Sequence, residues 1–71
     1  MAMTCQLGYS LQGVPMDAEL LDMCARGARV RLLDPPEGRL KRSVVLTVDG
    51  WSRRADVVWR QGAGVELRFC P

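Results

Sequence analysis

Ser43-Val44-Val45-Leu46-Thr47-Val48-Asp49-Gly50 decides the fold class of this chain. Its first six residues are rich in β-branched side chains, which pack well on a pleated surface, and they read as a central strand. Asp49-Gly50 then supplies two residues that tolerate the positive φ of a tight hairpin turn. On the far side Ala55, Val57 and Trp59 alternate with Arg54, Asp56, Val58 and Arg60, the period of two expected of the second arm. That alternation places Trp59 in the core or at a barrel end. Trp51, just past the turn, stands either at the hairpin tip, available to a partner, or packed along the hairpin. Arg39, Lys41, Arg42, Arg53 and Arg54 flank the hairpin and are expected to keep its edges soluble.

Strand signals continue outward in both directions. Gly62-Ala63-Gly64 turns the chain into Val65, Leu67 and Phe69, with Glu66 and Arg68 on the opposite face. Upstream, Asp34-Pro35-Pro36-Glu37-Gly38 is a strong break, because two prolines cannot continue a paired strand. Before it, Ala28, Val30 and Leu32 face one way and Arg29 and Arg31 the other. Met16, Ala18 and Leu20 alternate against Asp17 and Glu19 in a strand running into Asp22. Met16, Leu20, Leu21 and Cys24 also have near-helical spacing, so a short helix over 16–24 stays open. Cys5, Leu7, Tyr9 and Leu11 alternate with Thr4, Gln6, Gly8 and Ser10, and Gln12-Gly13 marks a turn, with Pro15 delaying the next strand. The sum is about six strands, and the expectation is an all-β fold: one small six-stranded antiparallel β-barrel domain over residues 1–71.

Composition narrows the function. At 71 residues and 48% hydrophobic, the chain is large enough for one small core and is not disordered by composition. The net charge of +2 does not by itself imply nucleic acid. Every cation except Lys41 is arginine, the residue best suited to bidentate anion recognition and to stacking on bases. There is no histidine, which excludes a histidine base, a Ser-His or Cys-His couple and a zinc site with histidine ligands. Cys5, Cys24 and Cys70 have no disulfide-framework spacing, which points to a reducing, cytosolic setting. No apolar run has the length of a membrane-spanning helix. No pair of carboxylates has a spacing that implies acid–base work, so the chain reads as a non-enzyme without cofactor or metal.

Asp22-Met23-Cys24-Ala25-Arg26-Gly27 joins the second and third strands and gathers a carboxylate, a thiol, an arginine and a glycine at one turn. Asp22 has two readings, contact with a ligand or a cap on its own turn. Gly27 is expected to supply a positive φ. Cys24 has no histidine to activate it and reads as a small, partly buried structural cysteine. Arg26, Arg29 and Arg31 form either a solvated outer face or an anion-binding one.

These residues, in this order, resemble the PilZ domain family. Asp22-Met23-Cys24-Ala25-Arg26-Gly27 is similar to its (D/N)-x-S-x-x-G signature. Gly38-Arg39-Leu40 through Val48 resembles its central hairpin. Ala55-Asp56-Val57-Val58-Trp59-Arg60 followed by Gly64-Val65-Glu66-Leu67-Arg68-Phe69 is similar to its closing pattern. The resemblance covers roughly residues 4 to 69 and implies a six-stranded barrel in bacterial signalling, with cyclic di-GMP as ligand. It places Asp22, Cys24, Arg26, Gly27, Arg29 and Arg31 as candidate ligand-binding residues.

The chain departs from the family twice. Met1-Ala2-Met3-Thr4-Cys5 has no arginine where the family carries an R-x-x-x-R arm, and Cys24 replaces the serine with a weaker hydrogen-bonding thiol. Each lost charge-assisted contact costs on the order of 1.5–3 kcal/mol, so two weaken binding by a few orders of magnitude. The resemblance therefore also permits an adaptor that binds a protein partner instead of the nucleotide. A small nucleic-acid-binding barrel ranks third, because the chain lacks the row of exposed aromatics that stacking on single strands needs.

Overall fold

A computed structural model describes residues 3–9 and 14–71. The far end of the first expected strand, Ser10 and Leu11, and the Gln12-Gly13 turn lie outside the described residues. Six strands form: β1 (Met3–Gly8), β2 (Met16–Met23), β3 (Gly27–Leu32), β4 (Ser43–Val48), β5 (Trp51–Gln61) and β6 (Gly64–Phe69). They close into an antiparallel barrel in the order β1-β2-β3-β6-β5-β4. The barrel shuts where β1 meets β4, through Gln6 opposite Thr47, Leu7 opposite Leu46 and Gly8 opposite Val45.

Strand alternation fills the interior. Leu7, Leu32, Leu46, Val30, Val44 and Val65 are the largest fully buried side chains. Burying each removes roughly 1.5–3 kcal/mol worth of apolar surface from water. Ala18, Ala28 and Ala55 join the lining and leave room for larger neighbours, among them Leu20, Leu67 and Phe69. Among the described residues no polar or charged side chain is buried.

The helical reading of residues 16–24 is overturned. Ala18 and Leu20 point inward from β2, whereas Leu21 and Cys24, which a helix would have packed beside them, are exposed. A register shift between Leu20 and Asp22 carries Leu21 out of the alternation. Asp49 (φ 50°) and Gly50 (φ 81°) both adopt the left-handed conformation that the tight β4–β5 hairpin requires.

One expectation about the hairpin fails and another holds only in part. Trp59, expected in the core or at a barrel end, is 53% exposed and so outside the core, two residues from the end of β5. The β5–β6 register shifts between Val57 and Trp59, so Val57 stands opposite Leu67 but Trp59 opposite outward-facing Glu66. One extra residue, Val58, reverses the parity of the strand. The flanking cations also have no edge to protect, because β4 is paired on both sides. Arg53 instead covers the Phe69 ring at 4.8 Å, and Lys41 lies 5.1 Å over Tyr9. Trp51 satisfies both of its readings, being 40% exposed and edge-on to Phe69 at a centroid distance of 5.7 Å.

The antiparallel order puts the β2–β3 turn, the β4–β5 hairpin, the start of β1 and the end of β6 at one mouth of the barrel. The β3–β4 loop and the β5–β6 turn share the other. There the Arg60 guanidinium donates to the carbonyls of Gly38 (2.6 Å), Pro36 (3.0 Å) and Gly62 (3.1 Å).

Candidate functional site

The turn from Asp22 to Gly27 is held by backbone before any side chain is considered. The Cys24 N–H donates to the Gly27 carbonyl at 2.9 Å, and the Phe69 N–H donates to the Arg26 carbonyl at 2.8 Å. The second bond stitches the turn to the end of β6. Gly27 lies in register opposite Arg68. A Cβ on Gly27 would strike the Leu67 carbonyl oxygen and sit 3.2 Å from the Arg68 Cα. Gly27 is not among the residues with positive φ. The expected left-handed glycine is therefore a close-approach glycine: only a bare Cα lets β6 come near enough to close the barrel.

Asp22 and Arg29 face each other across β2 and β3, and the Arg29 Nε donates to Asp22 Oδ2 at 2.9 Å, with a second bond from its Nη2. The hydrogen bond from Arg29 holds the Asp22 carboxyl below the usual carboxylate range, and the same bond raises the Arg29 pKa. Arg31 makes the equivalent ion pair with Glu19. Both pairs lie on the outer surface. The Cys24 thiol is exposed, which corrects its reading as a partly buried structural residue.

Five of the six expected residues, Asp22, Cys24, Arg26, Gly27 and Arg29, line one open groove of about 220 Å³. Arg31 lies outside it. Val58, Glu66 and Arg68 join the lining, with Ala28 and Leu67 at its floor. The alternation of β6 puts Glu66 and Arg68 on its outer face, but the β3–β6 pairing that carries them to the turn is non-local and has no signal in the sequence. Val58 arrives through the bulge. The groove sets three guanidiniums against two carboxylates, an arrangement suited to holding an anion. At about 220 Å³ it is smaller than the roughly 300–1,000 Å³ that encloses a whole drug-sized ligand. Its size matches one group of a larger molecule rather than the whole.

A second hollow of about 440 Å³ at the other mouth is lined by Gly38, Arg39, Leu40, Val57, Arg60 and Gly62. The Arg60 guanidinium there is already engaged by three carbonyls. Among the described residues no group of three or more His, Cys, Asp or Glu side chains is placed to hold a metal ion. Among them, too, no helix is long and apolar enough to cross a membrane.

The fold and groove define a class: a closed six-stranded antiparallel barrel with an arginine-lined groove at one mouth. In comparisons with known proteins, no family model matches the chain and no curated protein matches it.

Proposed function

We propose that this chain is a PilZ-like, non-enzymatic domain of bacterial signalling, acting in the cytoplasm, whose groove at the Asp22–Gly27 turn takes part of cyclic di-GMP. The observation that carries this reading is the convergence of Asp22, Cys24, Arg26, Gly27 and Arg29 on one groove. Asp22 would leave Arg29 to accept from a guanine edge, and the freed guanidinium would stack on the base or pair with phosphate. Calorimetric titration with cyclic di-GMP tests the reading: saturable heat, abolished by Asp22→Ala, supports it. Absence of heat at millimolar ligand, with the barrel intact by circular dichroism, refutes it.

A second reading, an adaptor for a protein partner, is favoured by one specific feature. Asp22 and Arg29 already satisfy each other, and the same barrel mouth exposes Met3 (50%), Met23 (47%) and Trp51 (40%). Exposed apolar residues gathered at one end suit a protein contact.

A further inference from the structure

Arg26 and Arg68 are the groove cations left without a carboxylate. Among the described residues the ion pairs are Asp22–Arg29 and Glu19–Arg31, so Arg29 and Arg31 are engaged. Arg26 and Arg68 both line the groove. The Arg26 carbonyl accepts the N–H of Phe69, the residue after Arg68, and Gly27, the residue after Arg26, stands in register with Arg68. Two carboxylates stand near Arg68. Asp56 is opposite it in register but accepts from the Ser43 hydroxyl at 3.4 Å. Glu66 lies two residues along the same face, in register with Arg29. Neither forms an ion pair with Arg68.

We infer that Arg26 and Arg68 form a phosphate clamp across the groove that they both line. Guanidinium forks match the oxygens of a phosphate and bind it bidentately. Three guanidiniums against two carboxylates leave the groove one positive charge, which a single phosphodiester neutralises. The small volume of the groove fits one such group rather than a whole nucleotide. The inference deepens the proposed function and rests on it only for the carrier of the phosphate, a cyclic dinucleotide.

The test follows the arginine Nε–H resonances in ¹⁵N-correlated NMR spectra during titration with inorganic pyrophosphate and, separately, with cyclic di-GMP. Saturable shifts at Arg26 and Arg68, but not at Arg31, are expected with both. Arg26→Gln and Arg68→Gln each weaken binding on the order of tenfold, while Arg31→Gln leaves it unchanged. If pyrophosphate binds in this way and cyclic di-GMP does not, the clamp stands and the nucleotide reading fails. If cyclic di-GMP binds with equal affinity to the double variant, the nucleotide reading stands and the clamp is overturned. Absence of any saturable shift with either probe also overturns it. Both side chains point away from the core, so the variants retain the barrel, which the dispersion of the same spectra verifies.

Discussion

The guanidinium of Arg60 donates to the carbonyl of Gly38 at 2.6 Å, spanning 22 residues of sequence. With the bonds to Pro36 and Gly62 it satisfies three carbonyls from one planar fork. A lysine ammonium cannot reach all three in that geometry. Arg60→Ala is expected to cost about 2–3 kcal/mol, and Arg60→Lys to recover less than half of it. Thermal unfolding checks this, at roughly 4–8 °C per kcal/mol for a domain of this size.

Gly27→Ala forces a methyl group into the Leu67 carbonyl, on backbone that cannot rotate away. Overpacking of this kind typically costs about 1–3 kcal/mol, occasionally more, so the melting temperature falls by roughly 5–20 °C. Gly62→Ala is strained by its φ of 59° but meets nothing within 4 Å. It is expected to cost less, since its penalty is conformational alone. A measured ranking with Gly62→Ala as the worse variant would contradict this account of β3–β6 closure.

The thiols separate by burial. Cys24 is exposed, whereas Cys5 is buried and its pKa is pushed up to about 11. A maleimide at pH 8 labels Cys24 in the folded protein and reaches Cys5 only on unfolding. Because the folded Cys5 pKa is raised, its neutral form stabilises the fold below the ordinary thiol pKa. That contribution is lost as pH rises through the interval up to about 11. Cys5→Ala should flatten the alkaline limb of the stability profile, even though it lowers the maximum.

Asp22 titrates below the usual carboxylate range because Arg29 hydrogen-bonds its charged form. The folded pKa is depressed, so the pair's contribution is complete above the ordinary carboxyl pKa of about 3.9. It is lost as pH falls through the lower folded value. Both groups are solvent-exposed, so the effect on stability is small and shrinks with added salt. In a carbon-detected NMR titration, Arg29→Gln is expected to move the Asp22 midpoint upward, and 0.5 M salt to move it part of the way.

Much of the barrel was legible because each strand buries one face: the alternations around Val44, Val65 and Ala18 are local, and so are the turn residues Asp49 and Gly50. The core reading of Trp59 fails because a bulge changes parity without leaving a mark in the residue types; Val57-Val58-Trp59 reads as unbroken alternation. Gly27 was assigned the wrong reason for being glycine, since its neighbour Leu67 lies on a strand 40 residues downstream. Arg68 escaped notice for the same cause. The near half of the groove is continuous in sequence and was readable; the far half exists only once β3 pairs with β6.

The bare Cα of Gly27 lets the barrel close, because the Leu67 carbonyl stands where a side chain would begin. Architecture alone is enough to preserve it. Replacing Arg26 and Arg68 leaves the closure of the barrel untouched, whereas replacing this glycine does not. The glycine answers to the architecture, and the arginines beside it answer only to the surface.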